Sequence, residues 1–75
     1  MKELFFKTYA CAVGSHEVEV WIDGEKIGSL KNVREPWDWY GLKKGVKLKK
    51  GKHQLTLKFS SNVFLDKVFL EQKGS

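Results

Sequence analysis

Glu17-Val18-Glu19-Val20-Trp21-Ile22-Asp23-Gly24-Glu25-Lys26-Ile27-Gly28-Ser29-Leu30 carries the pattern from which the fold follows. Val18, Val20 and Ile22 fall on one side of an extended chain, and Glu17, Glu19 and Trp21 on the other. That period of two marks a strand with one buried face. Asp23-Gly24 ends the run, and a two-residue type I′ turn needs φ > 0 at both central positions, which Asp and Gly tolerate. The chain then returns antiparallel over Glu25 to Leu30. In the simplest register Val20 faces Ile27 and Trp21 faces Lys26.

The same spacing extends outward from this hairpin. Leu4 to Val13 is rich in aromatic and β-branched residues and reads as a first strand, broken by Gly14-Ser15. Residues 31–45 lack alternation and contain Pro36, Gly41 and Gly45, so they read mostly as loop. Val46 and Leu48 then alternate with lysines. His53, Leu55, Leu57 and Phe59 alternate with Gln54, Thr56 and Lys58, and Val63 to Glu71 forms a last strand. About six strands at a spacing of roughly 8–12 residues predict an all-β, antiparallel β-sandwich. Residues 1–73 form its single domain and 74–75 a tail. No stretch supports an amphipathic helix, and there is no internal repeat.

Composition narrows the function classes. The chain has 75 residues, 41% of them apolar and 13% aromatic, enough for one small core and too few for a large enzyme. No apolar run approaches the roughly 20 residues that span a bilayer, and the single Cys11 excludes a disulfide framework. Lys7 and Thr8 interrupt any signal-type apolar stretch near the start, so localisation is not readable. The net charge is +5, but among the 14 basic residues Arg34 is the only arginine. Sequence-reading nucleic-acid proteins rely on the planar guanidinium fork, so neither nucleic acid nor membrane is the expected partner.

Catalysis finds little to use. The carboxylates sit mostly on outward strand positions or in turns, Asp38 and Asp66 being the two that are not simply solvated. His16 and His53 have no metal-ligand spacing to a second His, Cys or Asp. The expectation is a chain that is not an enzyme. The run Lys43 to Lys52 holds six lysines. It can be read as a patch for anionic polymers, but alternation and turns account for most of it, and lysine on an edge strand also blocks aggregation. Trp37-Asp38-Trp39-Tyr40 is the more informative cluster, because large rings in a loop are costly unless packed or used. Sugars present flat C–H faces that stack on such rings, and a carboxylate such as Asp38 grips hydroxyls. The competing reading makes Trp39 or Tyr40 a core plug and leaves Trp37 exposed.

The order of these signals resembles carbohydrate-binding modules of families six and thirty-five. Residues 17–30 resemble their central "VxVxxDGxxxG" hairpin, and Trp37-Asp38-Trp39 is similar to the tryptophan loop that follows it. Val46 to Leu55 looks like their "vxLxxGxHxL" segment, and Phe64-Leu65-Asp66-Lys67-Val68-Phe69-Leu70 like their closing "nLDyIxL" strand. Tyr9-Ala10 matches the "YA" that ends an earlier strand. The resemblance covers the family's central and C-terminal parts, with the N-terminal part missing.

This resemblance implies a jelly-roll-like sandwich of six or seven strands. It also implies a lectin-like, non-catalytic module that binds oligo- or polysaccharide, usually beside a glycoside hydrolase domain and outside the cell. The implied contacts are Trp37, Asp38, Trp39 and Tyr40, with Asn62 near the position where the family carries an Asn and this chain has Phe64. Asp66 matches a ligand of the family's structural calcium, whose partner glutamates lie in the missing part. The alternative is a structural or protein-interaction β-module that forms a homodimer or is completed by a partner chain.

Overall fold

The computed structural model describes residues 2–72, so the domain end at 73 and the 74–75 tail lie outside the described residues. Seven strands follow one another: β1 (Glu3–Ala12), β2 (His16–Ile22), β3 (Glu25–Val33), β4 (Asp38–Gly41), β5 (Val46–Lys47), β6 (Leu55–Lys58) and β7 (Val63–Gln72). All pairings are antiparallel. They form two sheets, an all-β sandwich as the alternation predicts.

β1 is the spine of the first sheet. Its residues Lys7 to Ala10 pair with both β4 and β7, and Leu4 pairs with both β5 and β7. A strand has only two edges, so β4 and β5 lie end to end along one and β7 takes the other. The second sheet runs β3-β2-β6. The chain crosses between the sheets after β1, β3, β5 and β6.

The core is the predicted inward face. Val18 and Val20 of β2 meet Phe6, Ala10 and Ala12 of β1, with Leu30, Val33 and Val63 closing the layer, and Ile22 is buried as well. Among the described residues Thr8 is the only buried polar side chain, and its Oγ1 donates to the Lys67 carbonyl at 2.6 Å. That bond sits at a β-bulge. Tyr9 pairs with Lys67 and Ala10 with Leu65, so Asp66 is the extra residue.

Two expectations are corrected. Within residues 31–45, mostly loop as expected, β3 runs on to Val33 and Asp38–Gly41 forms a strand that the sequence reading did not separate out. Its four residues are too few for alternation to be seen beside Pro36. Val20 faces Gly28 rather than Ile27, while Trp21 does face Lys26. The cause is a bulge at Ile27, which turns that side chain onto the core. A second bulge lies between the His16–Val33 and Val18–Leu30 pairs, where Asn32 takes φ 57°. The Asp23-Gly24 turn forms as predicted, with φ of 52° and 81°.

Candidate functional site

The register of β1 decides where the site lies. Phe6, Thr8 and Ala10 point into the core, so Phe5, Lys7, Tyr9 and Cys11 face outward, all half-buried by the strands on either side. Opposite Tyr9 stands Trp39 of β4, and opposite Lys7 stands Phe69 of β7. Three strands distant in sequence thus set their rings on one outer face.

The rings touch in a row. Trp37 and Tyr9 are stacked, with centroids 5.6 Å apart and planes at 21°. Tyr9 and Trp39 are 5.1 Å apart, and Trp39 and Phe69 are 5.9 Å apart. Trp37 and Trp39 remain 43% and 46% exposed, so the row is open to solvent. The Lys7 ammonium lies 5.0 Å from the Trp39 centroid and 5.7 Å from that of Phe69. It also pairs with the Glu71 carboxylate at 2.7 Å. A shallow cleft of about 260 Å³ adjoins this end of the row, lined by Phe5, Lys7, Leu42 and Glu71 among others. The face therefore offers flat apolar rings bordered by one cation and one carboxylate.

The residues singled out in the sequence divide between two faces. Trp37 and Trp39 belong to the row. Asp38 pairs with Ala10 and Tyr40 with Thr8, which puts both on the opposite side of β4 from Trp39. The half-buried Tyr40 ring packs on the core, and its hydroxyl donates to the Arg34 carbonyl at 3.2 Å. Tyr40 is the core plug. Asp38 accepts the Trp39 backbone N–H at 2.7 Å. Asn62 sits in the β6–β7 turn, across β1 from β4, where its carbonyl accepts the Val13 N–H. Asp66 is the exposed bulge residue. Among the described residues no group of three or more His, Cys, Asp or Glu is placed to hold a metal ion. Among these residues the carboxylates do not gather around Asp66 as calcium would require.

Sequence reading missed Tyr9, Lys7, Phe69 and Glu71. Alternation along β1 and β7 shows that each strand has two faces. It does not show that both strands flank the same tryptophans.

A second constellation ties the turns together. His53 Nδ1 meets Asp23 Oδ2 at 2.6 Å, and its Nε2 meets the Lys49 carbonyl at 2.6 Å. Both facing oxygens are acceptors only, so both contacts are satisfied when the ring carries two protons. The Asp23 carboxylate, then the Lys49 carbonyl, raise the His53 pKa. The bond from His53, then the Gln54 N–H, hold Asp23 below the ordinary carboxylate value. With both nitrogens donating, the ring has no lone pair to act as a base. On the outer face of the second sheet, Trp21 donates to Glu19 at 2.9 Å and lies under the Lys58 ammonium at 3.8 Å.

Comparison with protein-family models, with curated proteins and with solved structures finds no match.

Proposed function

We propose that the chain is a non-catalytic carbohydrate-binding module that holds an oligo- or polysaccharide against the Trp37–Tyr9–Trp39 row. The carrying observation is that row: contacting rings, two of them more than 40% exposed, on the outer sheet face beside the Lys7–Glu71 pair. The apolar C–H faces of a sugar ring match exposed aromatic faces, and its hydroxyls match a cation and a carboxylate. The order of hairpin, tryptophans and closing strand shared with families six and thirty-five supports the same class. The same resemblance implies a place beside a glycoside hydrolase domain. The contact set centres on Tyr9, Trp37, Trp39 and the Lys7–Glu71 pair, with Asp38, Tyr40 and Asn62 off the face.

The test is binding to a panel of insoluble and soluble polysaccharides, with isothermal titration of the best one. Trp37→Ala, checked for its fold by circular dichroism, should weaken binding about tenfold or more. Added salt should leave the affinity nearly unchanged. A steep loss with salt would instead assign the binding to the lysine run. Binding that survives Trp37→Ala unchanged, or no binding across the panel, would sink the reading.

A further inference from the structure

The two lateral edges of the sandwich are not alike. On the β3 side the inward residues Leu30 and Val33 are 3% and 0% exposed. On the β6 and β7 side the core is open. Val68 lies opposite the buried Thr8 and so faces inward, yet it is 40% exposed. Leu55 lies opposite the buried Ile22 and is 36% exposed. Among the described residues β7 pairs only with β1, so a ten-residue strand presents a free row of N–H and C=O groups beside this opening.

We propose that two copies of the chain pair along β7, antiparallel, about a twofold axis at Phe69. The bulge at Asp66 bends the strand, so the flat part available for pairing runs from Lys67 to Gln72. Directly opposed residues in an antiparallel pair share a face, so a twofold axis must fall on a residue. Only Phe69 and Leu70 are central enough. An axis at Leu70 would set Phe69 against Glu71 of the second copy. An axis at Phe69 sets Lys67 against Glu71 and Glu71 against Lys67, while Val68 meets Leu70 twice on the core side.

Charge and burial therefore select one register. Lys67 makes no ion pair among the described residues, and the second copy supplies one. Glu71 already holds Lys7, and its two oxygens can serve both lysines. Lysines and bulges on edge strands usually prevent pairing. Here the bulge sets the limit of the paired stretch and the lysine finds its complement. Phe69 ends the ring row, so the axis joins two rows into one across a continuous sheet.

The test reads mass, not sugar, so it stands apart from the proposed function. Sedimentation velocity of the full chain should show a dimer, and Val68→Lys should return a monomer with unchanged circular dichroism. Lys67→Glu and Glu71→Lys should each weaken the dimer about tenfold, because each creates two like-charge contacts. Mixed in equal amounts the two variants should dimerise again, since each then opposes the other with complementary charge. That rescue decides the register even if Val68→Lys fails to fold. A wild-type chain that stays monomeric at every accessible concentration would overturn the proposal. So would a dimer indifferent to the charge reversals, or a mixture that does not recover.

Discussion

Trp39→Ala should destabilise the domain by about 3.5 kcal/mol, although Trp39 is 46% exposed. A buried tryptophan covers roughly 150–250 Å², and about half of that surface, near 100 Å², is covered here. At about 25 cal/mol per Å² this is worth about 2.5 kcal/mol, or about 2 once the part hidden in the unfolded chain is removed. Ring contacts with Tyr9 and Phe69 add about 0.5 kcal/mol each, the low end for half-exposed pairs. The Lys7 ammonium adds about 0.5 kcal/mol more. A chain of 75 residues is expected to hold about 4–11 kcal/mol in all, so the variant folds but with a much reduced margin. Urea denaturation followed by circular dichroism measures the loss, and the double variant with Phe69→Ala measures the coupling. A loss within about 0.5 kcal/mol, the ordinary range for surface substitutions, would show that the rings merely lie near one another. Additive losses would remove Phe69 from the row.

Two further outcomes follow from single contacts. The His53 contribution to stability is fully present below its ordinary value of 6.5 and is lost as pH rises through the raised folded value. That of Asp23 is fully present above 3.8 and is lost as pH falls through the lowered one. The melting-temperature gap between the wild type and His53→Ala should therefore be widest between those two values and should narrow on either side; a gap flat with pH would refute the double donation. Thr8→Val puts a methyl where an oxygen now sits 2.6 Å from the Lys67 carbonyl, and carbon–oxygen contacts need about 3.3 Å. The bulge must shift and lose a bond, so a loss of about 1–2 kcal/mol is expected, with faster amide exchange at Lys67 and Val68; unchanged exchange there would show that the hydroxyl does not pin the bulge.

The parts of the fold legible in the sequence are those governed by local rules. The β2–β3 hairpin is written in Val18, Val20, Ile22 and the Asp23-Gly24 pair, and each takes the predicted place. What the sequence hides is non-local. The bulge at Ile27 exists because that side chain reaches the core by slipping one residue, a gain visible only with the other sheet in position. β4 is four residues long and becomes a strand by pairing with β1, not by its own pattern. The Asp23–His53 contact spans 30 positions, so spacing along the chain cannot reveal it.

The site was half legible for the same reason. Trp37 and Trp39 stand out as rings needing a use, but nothing local separates them from Tyr40, and only the register against β1 turns Tyr40 inward. β1 itself explains why the rings gather there. It is apolar on its core face apart from Thr8 and carries Phe5, Tyr9 and Cys11 on the other, more than a half-solvated strand requires. A domain this small has little apolar area to spare, so rings left on the surface stabilise it only if they cover one another. The first sheet is thus packed on both faces, by the core beneath and by Trp37, Tyr9, Trp39 and Phe69 above. A ligand that stacks on that upper layer needs no new cavity and little ordering, since the neighbouring rings already hold each other in place. Trp37, joined to the layer by Tyr9 alone among these rings, is the member whose removal disturbs the fold least. For that reason it separates a binding role from a structural one.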